Sequence, residues 1–168
     1  KKKNIRSKKS KKKHISGMSR ISEIINLRSP KIIYILFGDE LYLTEKNILN
    51  FINYVKKNKD ANCWHLLTSI KNEDKNDKNV VKCKLNKNRE IVDFCRSYKN
   101  EYNYKCVGVF AFKRNIFKNY NKFKNSDKEI KMKVEQFKLL ENKVAIKSMI
   151  IKNITNSINS IKDLKSKK

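Results

Sequence analysis

At 168 residues with 39% apolar content, the chain is long enough for one domain and can supply its core, under a very polar surface (mean hydropathy −0.75). Its 42 Lys and Arg against 16 Asp and Glu give a formal charge of +26. Most are Lys, spread along the whole chain among Asn and Ile, residues that share A/T-rich codons. Arg, the better residue for bidentate phosphate and base recognition, is scarce, so composition argues against a sequence-reading nucleic-acid site and for weak, non-specific binding.

In chain order, residues 1–13 read as a basic low-complexity tail with no apolar helical face, and 14–168 as the folded domain. Ile15 to Leu27 sets Met18, Ile21, Ile24 and Ile25 on one helical face, and Pro30 ends it. Lys31 to Glu40 reads KIIYILFGDE, apolar from Ile32 to Phe37 without alternation, as in a strand covered on both faces of a mostly parallel sheet. Thr44 predicts an N-cap with Glu45 in the first turn, and Ile48, Phe51, Ile52 and Val55 form the stripe of that helix. Ala61 to Ser69 is a second strand, completing a βαβ unit. A polar loop over 71–79 precedes a hairpin, Val80 to Leu85 and Glu90 to Phe94, turned by NKNR. Tyr104 to Phe112 is another apolar strand, followed by a helix from Lys113 to about Tyr120. Ser126 and Glu129 form a capping box for a helix with Ile130, Val134, Phe137 and Leu140 inward. Val144 to Ile151 is a late strand, and a short helix near Lys162 closes the chain. The composite is α/β: a doubly wound, mostly parallel sheet with an inserted antiparallel hairpin.

Cys63, Cys83, Cys95 and Cys106 form no CxxC pair, and only His14 and His65 could join them, which argues against zinc and for reduced, buried thiols in an intracellular protein, cytoplasmic or organellar. No apolar run reaches the ~18–20 residues of a membrane span. Ligands of open α/β sheets bind at the carboxyl ends of strands. Gly38, Asp39 and Glu40 stand at such an end, where a glycine lets backbone approach a ligand and a carboxylate can hold a hard cation on a phosphate. A polar turn after a core strand is the alternative reading.

Four segments, in order, resemble one family. HISGMSRISEI (14–24) is similar to the HxSGTDRIAE segment of the 3-deoxy-manno-octulosonate (KDO) cytidylyltransferases, and IIYILFGDELYLTEKNI (32–48) to their VVNVQGDEPLIxPExI. NVVKCKLNKNREIVDFCRS (79–97) resembles NVVKVVLDKxGxALYFSRS. YKCVGVFAFKR (104–114) with SDKEIKMKVEQFKLLEN (126–142) resembles YKHIGIYAYRR followed by SPLExxExLEQLRxLEN, and SINSIKDL (157–164) echoes GVDTPEDL. The shared order over about 150 residues argues against chance.

The resemblance implies a nucleotide-diphospho-sugar transferase-like fold and the Mg²⁺-dependent transfer of CMP from CTP to KDO, with release of pyrophosphate. It implies CTP and a KDO-like sugar acid as partners, and a homodimer. By the same resemblance Asp39 is the catalytic, metal-binding carboxylate. Gly38, Glu40, Arg96, Ser97, Cys106 and Gln136 lie at substrate-binding positions, with Glu135 paired to Gln136. Asn159 stands where the family has its second metal-binding Asp, Cys106 where it has a His, Ser19 where it has an Asp and Leu41 where it has a Pro. The family's glycine- and basic-rich triphosphate loop has no counterpart in residues 1–13, and the chain has three Gly in all. The domain is therefore expected to be incomplete, and CTP binding by this chain weak. Three readings stand: a partial sequence of a divergent CMP-KDO synthetase, a catalytically inactive relative, and a basic structural or RNA-associated protein that keeps the fold.

Overall fold

The computed structural model describes residues 7, 9–10, 12–14, 16–25, 29–40, 42–152 and 157. Asn159, Leu41 and the expected helix near Lys162 lie outside them. The elements are α1 (Gly17–Ile24), β1 (Ile32–Leu36), α2 (Glu45–Lys57), β2 (Cys63–Ser69), α3 (Asn72–Asn76), β3 (Lys82–Leu85), β4 (Ile91–Cys95), β5 (Tyr104–Lys113), α4 (Arg114–Tyr120), α5 (Asp127–Met132), α6 (Phe137–Glu141) and β6 (Ile146–Ile151).

β5 organises the sheet. One of its edges carries β2, which in turn carries β6, and the other carries β1 along one half and the β3–β4 hairpin along the other. The α/β class and the inserted hairpin are as expected, but the mostly parallel ladder is corrected. Only β2 and β6 pair in parallel, because β5 runs backwards between β1 and β2 and makes every ladder it joins antiparallel. β1, β2, β3 and β6 still point one way, so their carboxyl ends share one rim. An unbroken apolar run marks a strand buried on both faces and carries no information on direction.

β5 is buried almost throughout and feeds two cores. Phe110 and Phe112 face one core with Met18, Ile116, Phe117, Tyr120 and Phe137 from the helices. Val107, Val109 and Ala111 face the other, where α2 contributes Phe51 and Val55. The Thr44 cap forms as read, with its side chain accepting from Asn47 N–H. β1 is less covered than its sequence implies: Tyr34 and Leu36, alternate residues on one face, are 40% and 54% exposed, and no described strand lies beyond it.

Two expectations fail locally. The helix opened by Ser126 stops at Lys133, whose φ of 53° is left-handed, and resumes as α6; Ile130 is then exposed while Val134 and Phe137 are buried. The polar loop holds the short helix α3 and a buried ion pair, Asp74 to Lys105 at 2.7 Å. Asp74 also accepts from Lys71 N–H, and the fully buried Lys82 donates to the carbonyls of Asp77 and Arg96. These bonds fasten 71–79, read from sequence only as a polar loop, against the sheet.

Candidate functional site

The site opens where β1 leaves β5 and β3 joins it. The last β1-side bond runs from Phe37 N–H to Gly108 O (2.9 Å), and the first β3-side bond from Cys106 N–H to Val81 O (2.9 Å). On the other edge of β5 the register to β2 shifts between His65 and Leu67, so Val107 to Val109 bulge there. Side chains repair both interruptions. Glu40 Oε1 accepts from Gly108 N–H (2.6 Å) and from the Ser157 hydroxyl (2.7 Å), and His65 Nε2 meets Val107 O (3.0 Å). The split leaves a cavity of about 190 Å³ bounded by Asp39, Glu40 and Phe37 after β1, by Asn79 and Val81 before β3, and by Lys133 to Gln136 at the α5–α6 break. His65, Cys106 and Phe110 form part of its wall.

The helix break that shapes one wall is held by Arg96. Its Nε donates to Met132 O (2.6 Å) and its terminal nitrogens to Lys133 O, Lys78 O and Asn79 O. Arg96 thus caps the carbonyls at the end of α5 and ties them to the loop before β3. Four of its five N–H donors are accounted for, so it builds the pocket more than it faces a ligand. Glu135 is also committed: its carboxylate accepts from Gly17 N–H (2.8 Å) and Met18 N–H (2.6 Å) at the start of α1, a helix with no acid of its own in the first turn.

Among the described residues, four polar side chains of the pocket have no hydrogen-bond partner: the Asp39 carboxylate at the rim, the Asn79 carboxamide, the Lys133 ammonium and the carboxamide of the largely buried Gln136. A cation beside neutral donors and acceptors suits a small polyhydroxylated anion, and a rim carboxylate suits a cation shared with a phosphate. Burial pushes the Cys106 thiol well above its ordinary range, with Cys83 beside it, so Cys106 is no thiolate nucleophile at neutral pH. Burial also pushes His65 down to about 3, and the imidazole is neutral.

Of the residues picked from sequence, Asp39, Glu40, Arg96, Cys106 and Gln136 line this one pocket. Ser97 lies outside it, in a neighbouring groove with Asp93, Lys99 and Tyr102. Gly38 sits in an exposed turn with open space where a Cβ would stand. The glycine that close approach demands is Gly108, where a Cβ would lie 2.9 Å from Phe37 Cβ. Lys133, Asn79, His65 and Gly108 were missed. His65 stood in an apolar strand, and only its polarity within a buried run marked it. No group of three His, Cys, Asp or Glu gathers among the described residues, the four cysteines are free, and no described helix is long and apolar enough to cross a membrane.

No family model matches the chain. Over 173 residues it is 28% identical to the 3-deoxy-manno-octulosonate cytidylyltransferase of Thermodesulfovibrio yellowstonii, covering 90% of this chain and 68% of that one. It is 32% identical over 146 residues to the protein of the same name from Fusobacterium nucleatum, covering 81% and 59%. Among solved structures, a CMP:2-keto-3-deoxy-manno-octonic acid synthetase complexed with CTP matches with a TM-score of 0.81 over 91% of this chain and 66% of that chain. Its sequence is 21% identical, and the likeness shows a shared fold. The chain thus spans between 59% and 68% of the length of these curated relatives.

Proposed function

Since the chain is a divergent relative of the 3-deoxy-manno-octulosonate cytidylyltransferases, we propose that it acts in the transfer of CMP from CTP to a KDO-like sugar acid, with release of pyrophosphate. The observation that carries this reading is the convergence of Asp39, Cys106 and Gln136, distant in sequence, on one pocket at the carboxyl end of β1. In this reading Lys133 pairs with the sugar-acid carboxylate, and Gln136 and Asn79 bond its hydroxyl groups. Arg96, Glu40 and Glu135 hold the walls through the backbone bonds described above, so the pocket is formed before the sugar arrives, which lowers the ordering cost of binding.

Mg²⁺ belongs to the same proposal. It is commonly held by one or two carboxylates together with phosphate oxygens, and Asp39, exposed at the rim and bonded by no described residue, fits one such position. When bound, the ion neutralises charge on the phosphates and aligns them with the attacking hydroxyl. The test is ³¹P NMR of the 168-residue chain with CTP, KDO and Mg²⁺. Because CTP is expected to bind this chain weakly, the reading expects only slow, KDO-dependent pyrophosphate release at high CTP, and its loss in Asp39→Asn; turnover unaffected by that substitution would refute the role of Asp39.

One observation favours a second reading, an inactive relative that binds polyanions. At the opposite end of β1 a groove of about 650 Å³ is walled by Lys31, Lys59, Lys113, Arg114 and Lys118 with no carboxylate among its lining residues. RNA binding there would weaken steeply with added salt. Binding that ignores salt, or that survives Lys59→Glu with Lys118→Glu unchanged, would count against it.

A further inference from the structure

β1 leaves one edge of the sheet open, and its register against β5 decides which backbone groups face outward there. Arg114 N–H donates to Lys31 O and Phe37 N–H to Gly108 O, so by alternation Ile33 and Ile35 also spend their backbone groups on β5. Ile32, Tyr34 and Leu36 aim theirs away from it, and no described residue meets them. The same residues share the face that α2 covers, opposite Val109 and Ala111, and there Tyr34 and Leu36 stay exposed. α2 continues this apolar edge. Its Tyr54 hydroxyl donates to Ser148 O of β6, which turns the opposite flank towards β1. That flank carries Glu45, Leu49, Ile52 and Lys56 at helical spacing, and Leu49 is half exposed. An open, apolar strand edge is a template for pairing with another chain.

We propose that this edge joins two copies of the chain, β1 pairing antiparallel with β1 of the second copy about a two-fold axis at Tyr34. The edge is self-complementary in that register. Its outward groups are symmetric about Tyr34, so Tyr34 exchanges both bonds with Tyr34 of the second copy and Ile32 with its Leu36, and every outward N–H and C=O is satisfied. With the axis normal to the sheet, both α2 faces lie on one side, and the exposed Leu36 packs beside Ile32 of the second copy. The charges are complementary too. Antiparallel order sets Lys31 beside residues 37–39 of the second copy, where Asp39 is exposed and bonded by no described residue. It also directs the Glu45 end of α2 towards the Lys56 end of the other α2. A two-fold contact uses the open β1 edge of each copy and closes, giving a dimer and no fibre. The contact is independent of what the pocket binds.

The experiment is sedimentation equilibrium of the 168-residue chain, with amide hydrogen exchange on the same samples. It is run in about 0.15 M salt, where repulsion between the scattered lysines of two copies is screened beyond about 8 Å. A monomer–dimer equilibrium is expected. The Tyr34 and Leu36 amides should gain protection as the dimer forms, while those of Ile33 and Ile35, already bonded to β5, should not change. Tyr34→Lys sets two ammonium groups opposite each other at the axis and Tyr34→Glu two carboxylates, so each should weaken self-association about tenfold or more. Mixed together, the two variants should pair again. Val92→Lys, at an exposed position on β4, should dimerise like the parent. A chain still monomeric at about 1 mM would overturn the proposal. So would a dimer whose Tyr34 and Leu36 amides gain no protection and whose Tyr34 variants associate like the parent. Protection of those two amides in the monomer would also overturn it, because the edge would then be covered within the chain itself. Should neither Tyr34 variant fold, Leu36→Lys, expected to weaken self-association in the same way, and the exchange pattern of the parent decide.

Discussion

Alanine at Gly108 and at Gly38 should have opposite effects, although both glycines lie beside the candidate site. A Cβ on Gly108 would stand 2.9 Å from Phe37 Cβ and 3.0 Å from both Glu40 Cγ and Oε1. Carbon atoms sit comfortably at about 3.5–4.0 Å, so the shortfall is at least half an ångström or so. Phe37 cannot relieve it by a side-chain rotation, because the clash is with its Cβ and its own N–H is bonded to Gly108 O. Either β1 shifts or Glu40 withdraws and abandons the 2.6 Å bond to Gly108 N–H. Overpacking costs about 1–3 kcal/mol and a buried donor left unpaired about as much, so the two together come to about 2–6 kcal/mol. For a chain of this length that is a fall of about 4–24 °C in Tm. Gly38→Ala meets nothing within 4 Å, and no glycine has positive φ, so it should be neutral or gain up to about 1 kcal/mol. Thermal melts followed by circular dichroism compare the two. A Gly108→Ala protein that melts within about 2 °C of the parent, or a Gly38→Ala protein that falls as far, would refute the packing argument.

Arg96→Lys exchanges a planar fork serving four carbonyls for a single ammonium, and should cost about 2–3 kcal/mol, read as a lower urea midpoint. Asp74→Asn leaves Lys105 buried without its carboxylate, with side-chain exposures of 6% for the lysine and 0% for the aspartate; about 3–5 kcal/mol should be lost by the same measurement, and a loss below about 1 kcal/mol would show the pair to be dispensable. The His65 shift makes stability depend on pH. The unfolded chain takes up this proton near pH 6.5 and the fold only near 3. The contribution is therefore complete above about pH 6.5 and falls by about 1.4 kcal/mol per pH unit below it, until about pH 3. His65→Gln removes that slope, so between pH 7 and pH 5 the parent should lose about 2 kcal/mol more than the variant, and parallel curves would contradict the buried neutral imidazole.

Sequence pattern pointed to the rim of the candidate pocket through one strand, the unbroken apolar run from Ile32 to Phe37 ending in Gly38, Asp39 and Glu40, although a polar turn after a core strand reads the same way. Local chemistry was equally readable at Thr44 and Ser126, whose side chains accept from N–H groups three residues on. Strand direction was not readable, and so the reversed β5 between β1 and β2 went unseen. The break between α5 and α6 was hidden for a different reason. Lys133 adopts the left-handed conformation without a Gly or Pro to announce it, and the stop is enforced by Arg96, 37 residues earlier in the chain. That contact also explains why the sequence could single out Arg96, which lines the pocket, without its role being legible. A guanidinium that braces carbonyls and one that grips a ligand look alike in sequence. Gly38 stood out where Gly108 did not because a turn is visible locally, whereas Phe37 and Glu40 reach Gly108 only in the folded sheet.

The central claim is that the pocket between β1 and β3 holds the sugar acid, and calorimetric titration with KDO tests it most directly. The 168-residue chain should bind KDO saturably, and Gln136→Ala, which removes a pocket carboxamide, should weaken that binding about tenfold or more. Ser97→Ala, altered in the neighbouring groove, should leave the affinity unchanged. Absence of saturable binding, or a Ser97→Ala loss as large as that of Gln136→Ala, would contradict the assignment.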